Sequence, residues 1–301
     1  VSTVGKIYSK LANMQISFPY GSQHKVACER LVQAVLKAAR HLDKASRHGT
    51  PLDVQVKADN TLVLNLDVES QAIILEALGK EMPIVAEEDP SSHGLIASHS
   101  EFFTVDPLDG TTSCKRFLGT YGGQVGFGPL VGYVKDFRLA ATAFYSIPQR
   151  TLFTAVLNEG SHATRFDENW QVIQGPQRLQ VAPCPDLSKA GMLFFVSPHG
   201  EPAIVEFLKR QNAVENVYRF GSFASDSARV AQDYEQIQFQ LYAKPWDFPA
   251  VLLASEAGRE VFCDPLERRV PLADWRIESN NPIVVLPAGT SPTFFTLIDQ
   301  M

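Results

Sequence analysis

No stretch of this sequence approaches the roughly 18–20 uninterrupted apolar residues of a membrane-spanning helix, so no membrane span is expected. The first ten residues, VSTVGKIYSK, lack both the apolar core of a signal peptide and an initiator Met, which points to trimming before Val1. Cysteine is sparse and scattered, at Cys28, Cys114, Cys184 and Cys263, with no CxxC pair. Free thiols in a reducing cytoplasm are the expectation. A basic excess is missing too, since 33 acidic against 27 basic residues leave a net charge of −6. That balance argues against a protein that coats nucleic acid, which needs a basic stripe. It suits a cation site, because clustered carboxylates repel one another until a metal offsets them. Seven histidines include no HExxH and no pair at ligand spacing, so His93, His99 and His199 read as loop residues. Gly119, Gly122, Gly123, Gly126, Gly128 and Gly132 match neither GxxxxGK(S/T) nor GxGxxG, and read as closely packed strands. Trp170, Trp246 and Trp275 read as packing groups, with Trp246 anchoring the turn that aims Asp247. Repeats and low-complexity segments are absent.

What is present is the profile of a folded globular protein. It has 301 residues, 45% of them hydrophobic and 20% charged, enough for one large or two medium domains. KVACERLVQAVLKAARHLDKASRH repeats apolar residues at Val32, Val35, Leu36, Ala39 and Leu42, the spacing of an amphipathic helix. TLVLNLD alternates Leu62, Leu64 and Leu66, which predicts a strand ending at Asp67. VESQAIILEALGKE follows as a second helix that Asp67 is placed to cap. PIVAEED reads as a short buried strand running out into acid. From Phe102 to about Val181 the chain reads as strands and turns, and after that strands and helices alternate. This predicts an α+β N-terminal part over residues 1–184 and a smaller α/β C-terminal part over residues 185–301.

Several predicted elements end in carboxylates: Asp67, Glu87 with Glu88, Asp106 with Asp109, and Asp247. Any one of them is explained by a strand reaching solvent. Together they matter, because strand ends are where α/β proteins assemble sites from distant sequence. VDPLDGTT, at 105–112, is the densest case. Pro107 fixes its own φ and stiffens the step after Asp106. Asp106, the carbonyl of Leu108 and Asp109 then converge on hard cations, and Mg²⁺ favours such oxygen donors. Gly110 leaves room for close backbone approach, and the amides of Gly110 and Thr111 are placed to hold a phosphate at a helix start.

This octet, with three further motifs, resembles the inositol monophosphatase superfamily of Mg²⁺-dependent, commonly lithium-sensitive phosphatases. The family's central motif, D-P-(I/L)-D-G-T-(T/K), is matched throughout by DPLDGTT at 106–112. Its Glu-Glu pair after a short strand is matched by VAEED, and its K-x-D-x-(S/T)-x-x-x-x-x-D segment by KADNTLVLNLD at 57–67. A W-D that opens a helix running to E-A-G is matched by WDFPAVLLASEAG at 246–258, and a GS ahead of a helix by Gly221 and Ser222. The resemblance implies a layered α-β-α-β-α sandwich, two or three Mg²⁺ ions and often a homodimer. It implies that Glu87, Asp106, Asp109, Asp247 and the main-chain oxygen of Leu108 hold metal. Thr111, in reach of Asp67, would orient and help deprotonate the attacking water, with no covalent phosphoenzyme. The implied substrate is a small phosphate ester.

Departures from the pattern bear on substrate. Inositol-selective members carry a Glu seven residues before the second-motif Asp, and here that position is Gln240, which puts myo-inositol selectivity in question. TTSCKRF replaces the usual continuation of the central motif and adds Lys115 and Arg116 beside the site, as turn residues or as cations for a second phosphate. Lys57 and Asp59 fit nucleotidase-like and histidinol-phosphatase-like branches better. Arg259 stands where a second Gly usually follows E-A-G, a change expected to affect only the helix end. The expected activity is therefore a metal-dependent phosphomonoesterase on an inositol-monophosphate-like metabolite. A 3′(2′),5′-bisphosphate nucleotidase and a non-catalytic phospholigand-binding relative remain as alternatives.

Overall fold

The computed structural model describes residues 19–21, 24–48, 54–56, 62–118, 126–194 and 203–301. Lys57, Asp59, Gly119, Gly122, Gly123 and His199 lie outside the described residues, as does the side chain of Arg116.

Helix α1 (Lys25–His48) buries Leu31, Val32, Val35, Leu36, Ala39 and Leu42 along one stripe, as its spacing predicts. A small ribbon of β1 (Val54–Val56) and β2 (Leu62–Leu64) leads into α2 (Asn65–Leu78). The chain turns helical three residues earlier than the alternating leucines suggest. Asp67 therefore lies in the first turn of α2, where its carboxylate accepts from the Leu64 amide at 2.7 Å and caps the helix.

A seven-stranded sheet follows, in simple sequential order: β3 (Ile84–Ala86), β4 (Phe102–Asp109), β5 (Gly128–Lys135), β6 (Arg138–Ser146), β7 (Thr151–Val156), β8 (Gly160–Phe166) and β9 (Val172–Arg178). Only β3 and β4 pair in parallel, with the short helix α3 (Leu95–Ser98) in the crossover; α4 (Thr111–Leu118) joins β4 to β5. The second sheet has the order β11-β10-β12-β15-β13-β14. Its strands are β10 (Gly191–Phe194), β11 (Asn216–Tyr218), β12 (Ile237–Gln240), β13 (Glu260–Cys263), β14 (Val270–Pro271) and β15 (Ile283–Leu286). Between them run α5 (Ala203–Arg210), α6 (Phe223–Ala231) and α7 (Val251–Glu256), and α8 (Ser291–Ile298) closes the chain.

Period-two burial sorts these elements into layers. Phe103, Val105, Tyr133 and Tyr145 face α1 and α2 in one core. Phe102, Leu130, Phe144 and Phe153 point the other way, onto α6, α7 and the inner residues Leu193, Ile283 and Val285 of the second sheet. Met192, Phe239 and Val284 cover its outer side, against Ile204 and Leu208 of α5 and Phe294 of α8. The result is an α-β-α-β-α sandwich in which the two sheets share the central helical layer.

The segment leaving the first sheet is held from both sides. Val181 donates to the Ala257 carbonyl at 3.1 Å, and Ala182 donates to Asp233 at 3.1 Å. Asp233 also pairs with Arg259, whose side chain is fully buried. Arg259 thus does more than end a helix: with Asp233 it pins the passage between the sheets.

Candidate metal and phosphate site

Strand β4 delivers Asp106 and Asp109 through an irregular end, where its register against β5 shifts between the two aspartates. The shift frees the intervening backbone from the ladder, so residues that plain alternation would place on opposite faces approach one another. Asp106 folds onto its own turn, accepting from the Leu108 amide at 2.9 Å. Asp247 lies in the turn before α7 and accepts from the Lys244 amide at 3.1 Å. Oxygens of Asp106, Asp109 and Asp247 lie within 4.8 Å of one another. Glu87, half-buried just past β3, is close enough for its charge to raise the pKa of all three.

Asp109 is fixed by another element. Both of its oxygens accept hydrogen bonds from the start of α6: Phe223 N at 3.0 Å, Ala224 N at 2.9 Å, and the hydroxyl of Ser222. Ser222 is fully buried and also caps α6 by accepting from Ser225 N at 3.2 Å. Two glycines make this approach possible. Gly110 has φ +84°, and a Cβ there would lie 2.8 Å from the Ser222 Cβ; Gly221 likewise has φ +84°.

Helix α2 braces the opposite side. The Thr111 hydroxyl has two acceptors for one proton, Asp67 at 3.1 Å and the Leu108 carbonyl at 3.2 Å. Three polar residues of α2, Asp67, Ser70 and Gln71, lie within little more than one turn and all reach the site: beside the Asp67 contact with Thr111, Ser70 donates to the Pro107 carbonyl at 2.7 Å, and Gln71 accepts from Glu88 N at 3.0 Å. Ser70 and Gln71 were not singled out from sequence. Part of the signal was legible, since Asp67, Ser70 and Gln71 fall at helical spacing on the same stripe as the apolar Ile74 and Leu78, which the structure buries.

Electrostatics separate these carboxyls from ordinary surface acids. Burial, then the charge of Glu87, pushes Asp106 and Asp247 well above the usual carboxylate range. Burial also raises Asp109 to about 6, against the pull of its three donors on α6, and raises Asp67 to about 7. Among the described residues no Lys or Arg pairs with Asp106, Asp109 or Asp247. Clustered, desolvated, all-oxygen and without a cationic partner among the described residues, this donor set fits a hard divalent cation.

The remaining expected residues divide into two groups. Gly110 and Thr111 open α4, whose first-turn amides have no carbonyl within the helix to bond. Lys115 is exposed on α4. Gln240 is 3% exposed and donates to the Tyr242 carbonyl at 3.1 Å.

Five layers with a buried acid cluster at the end of β4 define an α/β protein that gathers oxygen donors from both halves of its chain. Residues 24–288 match the sequence model of the Inositol monophosphatase family, and the chain belongs to that family of phosphatases. Among its relatives, the Nus factor SuhB of Vibrio cholerae is 28% identical over 243 residues, covering 75% of this chain and 81% of that protein. Inositol-1-monophosphatase of Caulobacter vibrioides is 26% identical over 239 residues, covering 77% and 87%. A solved structure of an IMPase/NADP phosphatase complexed with Mg²⁺ and phosphate shares the fold, with a TM-score of 0.65 at 18% identity over 86% of this chain and 90% of that one.

Proposed function

We propose that the protein is a Mg²⁺-dependent phosphomonoesterase acting on a small phosphorylated metabolite of the inositol monophosphate type. The observation that carries this reading is the buried group of Asp106, Asp109 and Asp247, set beside a Thr111 hydroxyl already bonded to Asp67. Glu87, Asp106, Asp109, Asp247 and the Leu108 carbonyl would hold the metal, as two or three ions. When bound, Mg²⁺ supplies charge to the phosphoryl and leaving oxygens and acidifies water.

The chain's own residues do the rest. Asp67 accepts the proton that the Thr111 hydroxyl relays from the attacking water; in the metal-free chain burial raises its pKa to about 7, which favours proton uptake. Main-chain amides at the start of α4 orient the phosphate, with the aim that Gly110 gives them. Ser222 acts through Asp109, since its hydroxyl is committed to that carboxylate. No side chain is required as a nucleophile. We place the chain in the cytoplasm as a homodimer; its four free cysteines support a reducing compartment.

Exposed Lys115, about one turn along α4 from Thr111, favours a second reading within the same chemistry, a 3′(2′),5′-bisphosphate nucleotidase, because a cation on that helix suits a second phosphate. A third reading, a phospholigand-binding role without turnover, stands beside these because one relative is named as a Nus factor rather than as a phosphatase. Phosphate release from inositol monophosphates, fructose 1,6-bisphosphate, histidinol phosphate and adenosine 3′,5′-bisphosphate, each with Mg²⁺, with chelator and with Li⁺, separates the three. One strongly preferred, Mg²⁺-dependent substrate is the expected result. Bound Mg²⁺ with no turnover of any of them favours the binding role.

A further inference from the structure

His93 reads from sequence as a loop residue, yet in the fold it touches both halves of the acid cluster's framework. The one-turn 3₁₀ segment Pro90–Ser92 is capped by Asp89, which accepts from Ser91 N at 3.1 Å. Ser92 then turns back on β3: its hydroxyl accepts from Ala86 N at 3.0 Å and donates to the Asp89 carbonyl at 2.7 Å. This reversal places His93 beside the end of β3, where Nε2 donates to the Ala86 carbonyl at 3.0 Å. A carbonyl only accepts, so Nε2 is the protonated nitrogen in this contact. The imidazole meanwhile lies over the Trp246 indole, with ring centroids 4.5 Å apart and planes inclined by 34°.

Ala86 immediately precedes Glu87, and Trp246 immediately precedes Asp247. One side chain therefore ties together the residues next to two carboxylates that arrive from different sheets. On the far side, the Asp247 turn is held by Asn281, which donates to the Ala243 carbonyl from its backbone at 2.8 Å and from its side chain at 3.3 Å. Asn281 fixes the turn to its own sheet. His93 fixes it to β3.

We propose that His93 is a positioning residue that sets the separation of Glu87 from Asp247 and thereby the cation affinity of the site. The inference rests on the metal-site reading above, and it concerns no bond from His93 to the ion or the substrate. A group bonded directly to a metal-holding side chain typically contributes about tenfold or more to binding; His93 acts one residue further back, through Ala86 and Trp246, so a smaller weakening follows from its removal.

The test is Mg²⁺ titration by calorimetry, without substrate, on the unaltered chain and on His93→Ala, His93→Gln and His93→Phe, each checked for native circular dichroism. Gln retains a donor for Ala86, and Phe retains a ring for Trp246. Expected is a Kd several-fold weaker for His93→Ala, with partial recovery in Gln or Phe. A role in packing alone would lower the melting temperature of the metal-free chain and leave Kd where it was, and that result overturns the proposal. Should His93→Ala fail to fold, native affinity in both Gln and Phe overturns it, and weakened affinity in either supports it. An unaltered chain that binds no Mg²⁺ overturns the site reading as well. Native binding indifferent to all three substitutions removes only the role of His93.

Discussion

Asp106 has the most to lose from a one-atom change. It is 2% exposed, accepts from the Leu108 amide, and sits among the charges of Glu87, Asp109 and Asp247. Asp106→Asn keeps its size and replaces an anionic oxygen donor with a neutral amide. Phosphate release is expected to fall by more than about 100-fold, and full activity in that variant would refute the proposed mechanism. Ser222→Ala probes a different dependence. Asp109 keeps its two amide donors from α6 but loses the hydroxyl, so its orientation loosens. Mg²⁺ affinity measured by calorimetry is expected to drop by about tenfold, because supports of metal-holding groups matter nearly as much as the groups themselves. Much of this was legible in the eight residues 105–112. The commitment of Ser222 to Asp109 was not, because nothing local to GSFAS says what its hydroxyl meets.

Among the elements, the passage between the sheets shows how a substitution away from the site acquires structural weight. Arg259 is fully buried at its side chain, while Asp233 keeps some exposure and bonds both the guanidinium and the Ala182 amide. Asp233→Ala leaves a buried cation without its partner, and urea unfolding is expected to show a loss of about 3 kcal/mol. Pairing it with Arg259→Met removes that stranded charge, so the double variant is expected to be more stable than Asp233→Ala alone. Equal stability of the two would show that the ion pair does not hold this passage. Sequence pattern placed α1, β4, α6 and α7 close to where they fold, since each carries a clear apolar period or a start signal. It did not foresee β8, where GSHATRF alternates buried small and polar residues rather than large apolar ones. Nor did it foresee α8, whose burial depends on a sheet formed elsewhere in the chain.

Over the whole molecule, the proposed cation site couples metal binding to protonation and stability. Asp67 at about 7 and Asp109 at about 6 lie above the ordinary 3.8, so the folded, metal-free chain holds protons that the unfolded chain releases. Protons bound preferentially by the folded state stabilise it below pH 4, and that contribution is lost as pH rises through about 6 to 7. Cation binding requires the ionised carboxylates, so it strengthens over the same interval. The rise in melting temperature on adding Mg²⁺ is therefore expected to be larger at pH 8 than at pH 5.5. A rise of equal size at both values would place the cation on groups that do not titrate in this window.

By itself the sequence determined the chemistry available and the order of the parts. Acids at the ends of apolar segments, a proline-stiffened Asp-Pro-Leu-Asp followed by Gly-Thr-Thr, and helical and strand periods are local facts that survive without a fold. Only the tertiary structure decided which of those groups meet. Thr111 reaches Asp67 across 44 positions and Ser222 reaches Asp109 across 113. His93 lies on Trp246, and Arg259 closes on Asp233. Periodicity reports which face of an element is buried. It carries no information on which distant side chain that face will find, because that depends on how the layers stack and on where glycines such as Gly110 let two backbones come close.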